Sequence, residues 1–494
     1  MIRQAKNSRV KTKLAFLNPV LIRILSDSPD SLAVWDGYNQ LTYKQMFDSA
    51  WQIVKQFKEV GLGAGQRLAL DSCRSSELYV MVLACLLSGI SFISVPATMS
   101  ANQKYQFTIR SRCIGICSDL TEFSELQSVK VGVWQLWLIP ENESCDISAD
   151  EVYCVRTSGT TGDPKLVPIH VEQLNAFLQN CHKELAIPTG LTWSWFHDLS
   201  FDFSIWELFG TLSHGGCLVV INEKAKRDPT LAWTILKKCQ VHLLSVTPSE
   251  FRYLFVYRTL QQFNELMLQK IVLCGEKLTT NTILPFFDIL DECKVQLINT
   301  YGPSEATVFC SAWFISNKDF VYDTVPIGKP FSDMSFSLED KITEQTGNLK
   351  LEGVQVFLGY DGLKPLDSGY LTGDICRCDD NGIWHFMRRS GGYYKINGFR
   401  VDPLEIEKFL QSIFGVCEAV VWLEEKAEGP AMLIACVNVM SGITLTTREL
   451  RSASIKLSPW LRPSRYIIIP QSEWPMSSRG KTDREEIKRR YYDA

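Results

Sequence analysis

No C-x-x-C pair occurs in this 494-residue sequence, although it holds 16 cysteines. Cys113 and Cys117 stand four apart and Cys376 and Cys378 two apart, with no histidine cluster beside them, so a zinc site of regular spacing is excluded. A disulfide framework is not expected in a chain of this length without a signal peptide. The cysteines read as small buried hydrophobes in a reducing compartment. There is no basic excess either. A net charge of -4 leaves too few cations to neutralise a nucleic-acid backbone. Internal repeats and low-complexity tracts are absent. The one long uncharged stretch, Leu78 to Pro96, is divided by Ser88-Gly89 and closed by proline. It reads as a buried helix followed by an alternating strand over Ile90–Val95, not as a membrane span, which needs ~20 unbroken apolar residues. The first 26 residues lack Asp and Glu but carry six basic side chains, and Pro19 and Arg23 interrupt their apolar part. That is a solvated basic tail rather than a transit peptide.

What is present is an ordinary globular composition, 46% apolar and 21% charged, in a chain long enough for two or three domains. From Tyr43 to Val60, Met46, Ala50, Ile53, Val54, Phe57 and Val60 share one helical face, stopped by Gly61. Short apolar runs follow such helices at Leu218–Ile221, Val241–Val246, Ile271–Leu273 and Val295–Ile298. Runs of this kind suit strands covered on both faces, as in parallel sheets. The expected fold is α/β, a large N-terminal domain of layered β-sheets with helices. After about residue 325, Gly, Asp and short alternating strands point to a barrel-like subdomain. Ser390-Gly391-Gly392 is the linker candidate, giving domains 1–389 and 390–494. The second is small and α+β, with a helix at Pro403–Phe414 and strands at Ala419–Leu423 and Leu433–Val439.

The strongest local signal is Thr157-Ser-Gly-Thr-Thr-Gly-Asp-Pro-Lys165. Two glycines permit a tight turn and close backbone approach, four hydroxyls offer donors, and Lys165 adds a cation. That set suits nucleotide phosphates, at a spacing different from the G-x-x-x-x-G-K-[ST] loop. The run resembles the signature of the adenylate-forming superfamily of acyl-CoA synthetases, luciferases and peptide-synthetase adenylation domains, with Leu166 in place of its usual glycine. Further elements follow in that family's order: Leu41-Thr-Tyr43, Asn299-Thr-Tyr-Gly-Pro-Ser-Glu305, Tyr370-Leu-Thr-Gly-Asp374, Arg389 with Lys395-Ile-Asn-Gly-Phe-Arg400, and Gly480-Lys481-Thr-Asp-Arg484. Each is weak alone, whereas the ordered set is specific.

The resemblance implies ATP held by Thr157, Ser158, Gly159, Thr160, Thr161, Gly162, Lys165, Asn299, Thr300, Tyr301, Gly302, Ser304, Asp374, Arg389 and Lys395. It places Tyr301 against the adenine, Asp374 on the ribose hydroxyls and Mg²⁺ on Glu305. Lys481 would reach both the substrate carboxylate and the α-phosphate. A carboxylate attacking a phosphate brings two anions together, so Lys481, Glu305 and Lys165 would act by neutralising charge rather than as nucleophiles. The resemblance also implies a small C-terminal domain that rotates between adenylation and thioester formation. Gly391 stands at the hinge position, usually Asp or Lys, and Gly392 beside it tolerates large backbone changes.

Phe201-Asp202-Phe203-Ser204 with Trp206-Glu207 is similar to the amino-acid branch of that family, where Asp202 would pair with the α-ammonium. A cation in a dry pocket requires an anion. The competing reading is a plain turn cap. The pocket is then lined by Asp202, Phe203, Trp206, Ser245, Val272, Cys274, Thr300, Val308 and Phe309. Its bulk favours a small amino acid, Thr, Ser or Ala, with Ser245, Thr300 and Cys274 as small polar contacts. The start of the pocket is similar to threonine-activating domains, and Cys274-Gly-Glu276 to D-alanine-carrier protein ligases. His197 could touch substrate or fill the wall. The stretch between Tyr360 and Tyr370 is shorter than in the family and reads as a trimmed loop. No carrier domain follows Ala494, so the expected acceptor is a separate phosphopantetheinylated carrier protein, with free coenzyme A as the alternative. A cytoplasmic monomer without nucleic-acid or membrane partners is expected. Competing readings are an acyl- or aryl-CoA ligase, disfavoured by Asp202, and a non-catalytic adenylate-binding scaffold, disfavoured by the retention of Lys165, Glu305, Asp374 and Lys481.

Overall fold

The computed structural model describes residues 13–491 apart from 72, 96–98, 119–122, 124–125, 141–146, 158–164, 256–257, 322, 390–393, 397–398, 425–430, 441, 471–472 and 476–481. The chain forms two compact units, which meet in sequence between Arg388 and Arg389.

The larger unit carries the amphipathic helix Tyr43–Glu59. Thr42 and Gln45 close a reciprocal capping box at its start. Its inner face buries Met46, Ala50, Ile53, Val54 and Phe57 together with Tyr43 and Phe47. Val60, expected on that face, is half-buried because the helix ends just before it, and Gly61 follows at φ +77°. The uncharged stretch divides where expected. Ser76–Ser88 is a buried helix, Gly89 leaves it at φ +74°, and Ser91–Ser94 is a buried strand. Among the described residues no helix is long and apolar enough to cross a membrane.

Two large sheets carry the unit. One has seven strands in the order Ser128–Val131, Trp134–Leu138, Gly115–Ser118, Arg67–Leu70, Ser91–Ser94, Glu151–Thr157, Lys165–His170. The other has nine: Lys329–Pro330, Ser311–Phe314, Gln296–Tyr301, Lys270–Leu273, Leu243–Val246, Thr192–Trp195, Cys217–Val220, Leu32–Trp35, Gln40–Thr42. Its central strands are parallel, and the three inner ones run in one register, Ser245 beside Val272 beside Ile298. Their side chains therefore share one face of the sheet, and so do Cys274 and Thr300 two residues further on. The region after residue 325, expected to be barrel-like, is a four-stranded sheet in simple order, Met334–Thr343, Thr346–Gly353, Tyr370–Cys378, Trp384–Arg389. Its pairings follow the chain, and its first and last strands stay at the edges. A backbone bridge from Gly328 to Trp384 joins it to the nine-stranded region.

The smaller unit packs helix Pro403–Gln411 on the strands Val416–Glu424, Met432–Val439 and Arg465–Pro470. Asp402 caps that helix by accepting from Leu404 N. The Glu407 carboxylate pairs with Arg484 and also accepts from Val421 N at 2.7 Å, so this buried anion is paired and hydrogen-bonded. All 15 described cysteines are free thiols, and nine are buried. Burial raises the Cys117 and Cys436 thiols to about 12, which leaves them inert as nucleophiles.

Candidate active site

Thr157 ends one strand of a hairpin and pairs across it with Lys165, the first residue of the returning strand. The phosphate-loop residues Ser158, Gly159, Thr160, Thr161 and Gly162 fall between them, outside the described residues, as do Gly391 and Lys481. Lys165 lies over the ring of Tyr360, its Nζ 4.7 Å from the ring centre. The same Tyr360 donates its hydroxyl to Glu305 Oε1 at 2.8 Å, and Glu305 is buried. One aromatic side chain thus sits beneath the cation and against the carboxylate expected to act on phosphates and metal. The loop after Tyr360 has a structural role as well. Asp361 pairs with both Arg67 and Arg112 at 2.9 Å, and Arg67 is fully buried against Glu151.

Strand Gln296–Tyr301 delivers the next group. Asn299 donates Nδ2 to Pro326 O at 2.7 Å, so its side chain ties backbone together. The Tyr301 hydroxyl donates to Asp374 Oδ2 at 2.6 Å. Burial first, and the Asp374 charge second, push that phenol well above its ordinary value. Asp374 is buried, and its own amide donates to Thr372 Oγ1. Gly302 has no alternative, because a β-carbon there would run into the backbone of Phe309. Ser304 opens a single 3-10 turn that carries Glu305, and Thr307 and Val308 then take positive φ, +58° and +71°. For two non-glycine residues in succession this is backbone strain, the kind held at sites by surrounding packing. Arg389 ends its strand in the smaller unit, and Lys395 pairs through its backbone with Arg400.

The residues read as an amino-acid pocket come together in one buried cluster. Phe203, Trp206, Val272, Cys274, Val308 and Phe309 belong to the same apolar core. Phe309 meets Trp206 edge-on at 5.5 Å and Phe203 at 6.4 Å. Trp206 lies on a π-helical turn, Trp206–Gly210, a wide turn that recurs at functional sites. Side chains hold that turn open. Thr211 donates to Glu207 O, and Ser213 and His214 both bond Gly210 O. Gly210 itself leaves room for the rings, since a β-carbon there would lie 2.7 Å from Trp193 and 2.8 Å from Trp206. The two hydroxyls expected as polar contacts for substrate are engaged within the protein. Ser245 Oγ accepts from Trp206 Nε1 at 3.2 Å, and Thr300 Oγ1 donates to Leu273 O at 2.9 Å.

Asp202 precedes this turn with only 6% of its surface exposed, and its side chain makes no capping bond to the turn. The plain capping role is therefore removed. Its charge, after burial, raises the phenol of Tyr153. The rings on either side of it, Phe201 and Phe203, both pack on His197, at 5.2 and 4.7 Å. Gly275, at φ +93°, makes space for Phe201. His197 is wall, with its ring nitrogens turned to Glu207 and Glu250. Sequence reasoning missed Glu250 and Tyr360 as members of this constellation. Glu250 lies 53 residues from its partner, and only the strand crossovers bring the two together.

Residues 23–361 match the family model described as AMP-binding enzyme. The chain belongs to the AMP-binding enzyme family. This member of the adenylate-forming ligases is 28% identical over 504 residues to syringomycin synthase SyrB1 of Pseudomonas syringae pv. syringae, covering 96% of this chain and 81% of that one. Seven further curated relatives are 24–28% identical, and the chain spans only 6–21% of their length. Its fold matches the Vibrio cholerae adenylation domain AlmE, solved in complex with glycyl-adenosine-5'-phosphate, at a TM-score of 0.80 and 20% identity over 97% of this chain and 98% of that one. It also matches PA1221, a nonribosomal peptide synthetase protein containing adenylation and PCP domains, at 0.79 and 24% over 98% and 86%.

Proposed function

We propose that this AMP-binding enzyme adenylates a small amino acid with ATP and passes the aminoacyl group to the phosphopantetheine thiol of a carrier protein. The observation that carries the reading is Asp202: a buried carboxylate with no capping role, beside a wall of packed aromatic rings. A carboxylate at that place suits the α-ammonium of an amino acid, and an acyl tail brings no charge to meet it. Phe203, Trp206 and Phe309 take up the volume that a large side chain would need. The likeness to AlmE, solved with glycyl-adenosine-5'-phosphate, supports the amino-acid reading, and PA1221, with its PCP domain, supports the carrier.

In this reading Asp374 holds the ribose, Tyr301 orients Asp374, and Lys165 with the Thr157-to-Gly162 loop faces the phosphates. Glu305 suits Mg²⁺. It is one hard carboxylate held by a single tyrosine hydroxyl, and magnesium in nucleotide sites is held by one or two carboxylates plus the phosphates themselves. Bound there, Mg²⁺ would offset charge on the departing pyrophosphate. Lys481, carried by a small domain that turns about Gly391, neutralises the meeting carboxylate and α-phosphate.

The test is ATP–pyrophosphate exchange across all twenty amino acids and D-alanine, with fatty and aryl acids alongside. Exchange with a small amino acid, abolished in Asp202→Ala, is the expected result. Exchange with fatty or aryl acids alone would replace this reading by the CoA-ligase one.

A further inference from the structure

The segment from Trp195 to Glu207 folds around a cluster of four charged groups, of which His197 and Glu207 are buried and Glu250 and Lys226 partly so. His197 is 1% exposed and Glu207 0%. Glu207 Oε1 accepts from Phe196 N at 2.8 Å and Oε2 from His197 N at 3.0 Å. The same Oε2 lies 3.3 Å from His197 Nδ1, an ion-pair distance off the hydrogen-bond direction. On the other side His197 Nε2 meets Glu250 Oε2 at 2.9 Å. Glu250 Oε1 pairs with Lys226 Nζ at 2.8 Å, and its Oε2 also accepts from Thr247 N at 2.9 Å. Lys226 in turn lies over the ring of Phe196.

Two chemical facts follow. His197 Nε2 is hydrogen-bonded to the Glu250 carboxylate and Nδ1 lies at ion-pair distance from Glu207, so the ring sits between two anions, an arrangement that favours the imidazolium. With that proton the cluster holds two anions and two cations and is neutral. Without it, a net negative charge is left in a dry place, which is costly. The groups facing the ring are Glu207 from the π-helical turn, Glu250 from helix Pro248–Phe255 and, through Glu250, Lys226 from helix Glu223–Arg227. Burial by itself would push the His197 pKa down, but the two carboxylates outweigh it and hold it above the ordinary histidine value. Glu250 is correspondingly held well below the usual carboxylate range.

The ring is also the floor on which the Asp202 turn rests. Phe201 and Phe203, the two neighbours of Asp202, are its aromatic contacts on that side. We propose that His197 is a positioning residue: clamped as an imidazolium between Glu207 and Glu250, it fixes the Phe201-Asp202-Phe203 turn, so that recognition of the amino-acid substrate depends on the His197 proton. This rests on the reading of Asp202 as the partner of the substrate ammonium. His197 touches no substrate. It sets the direction of the carboxylate that does.

The experiment is amino-acid-dependent ATP–pyrophosphate exchange measured against pH for the full chain, with separate KM values for amino acid and ATP. For the native chain, amino-acid KM rises on the alkaline side while ATP KM stays level. His197→Gln is expected to raise amino-acid KM about tenfold, the scale of one charge-assisted hydrogen bond, with kcat within about twofold, and to remove the alkaline rise. Glu250→Gln keeps the ring and lowers its hold on the proton, so the alkaline rise moves to lower pH by on the order of one unit. An unchanged pH profile in Glu250→Gln, or native amino-acid KM in a folded His197→Gln, overturns the inference while leaving amino-acid adenylation standing. Absence of exchange with every amino acid overturns the proposed function and the inference together. Nitrogen-15 NMR of histidine-labelled protein, with His197→Gln assigning the signal, gives the readout independent of turnover. A doubly protonated ring at neutral pH agrees with the clamp, and a neutral tautomer sinks it.

Discussion

Tyr301, half-buried, donates its hydroxyl at 2.6 Å to the buried Asp374 carboxylate across 73 residues of sequence. The bond joins the end of the nine-stranded sheet to the four-stranded one. It makes the tyrosine an orienting group for the carboxylate as well as an aromatic surface. In Tyr301→Phe the ring survives and the bond does not. Loss of one hydrogen bond to a buried carboxylate corresponds to about 1.5–3 kcal/mol, so ATP KM is expected to rise on the order of tenfold or more, with amino-acid KM unchanged. Initial-rate kinetics in both substrates check this, and a rise in amino-acid KM alone would contradict it.

Glu305 and Tyr360 form the second pair to test. Glu305→Gln keeps the shape and removes the charge, so the magnesium concentration for half-maximal exchange is expected to rise on the order of tenfold, with a fall in kcat. Tyr360→Phe leaves the ring beneath Lys165 and is expected to have a smaller effect, about two- to fivefold. A magnesium titration of the exchange rate separates the two variants.

The pocket wall is expected to respond through packing. Ser245→Ala leaves the buried Trp206 indole N–H without its acceptor, a cost of about 1–3 kcal/mol visible as a lower thermal midpoint. Phe309→Ala removes a ring that touches Phe177, Phe203 and Trp206 and is expected to cost about 3–5 kcal/mol. The same variant is expected to admit larger amino acids in the exchange assay. Wild-type selectivity in a folded Phe309→Ala protein would place the specificity wall elsewhere.

Stability below neutral pH is expected to depend on His214. Burial lowers its pKa from 6.5 to about 4, beyond what its bond to Gly210 O restores, and His182 adds to the lowering. The unfolded chain then takes up the proton more readily than the folded one. Stability therefore falls as pH drops from about 6.5 towards 4, by on the order of 3 kcal/mol at most. His214→Gln is expected to flatten that part of a denaturation-versus-pH curve. An unaltered slope would show that other groups govern it.

Much of the architecture was legible because burial writes itself into periodicity. The helix at Tyr43–Glu59 repeats apolar residues at helical spacing, and the inner strands are apolar throughout because both their faces are covered. The division at Ser88-Gly89 was legible because glycine alone takes φ +74° at no cost. Other features had no local signature. The π-helical turn places Trp206 against Trp193, a contact between residues 13 apart that no local pattern announces. The Glu250 side chain looks like any solvated helix residue until a crossover sets it against His197. The Ser245 hydroxyl read as a substrate contact, and its bond to the Trp206 indole exists only after Leu243–Val246 is placed beside the wall. The four-stranded sheet read as barrel-like because alternation records which face is covered and says nothing about closure.

Gly302 lies so close to the backbone of Phe309 that a β-carbon on it would overlap that backbone. The strand carrying Thr300 and Tyr301 turns at that contact, and the returning segment carries Val308 and Phe309. The wall that would judge the amino acid and the edge that would hold the nucleotide are thus two ends of one rigid hairpin-like piece. Any engineer who reshapes selectivity through Phe309 also retunes the nucleotide edge, whereas Phe203 and Trp206, borne on a different stretch of chain, offer a route to new specificity that leaves that edge in place.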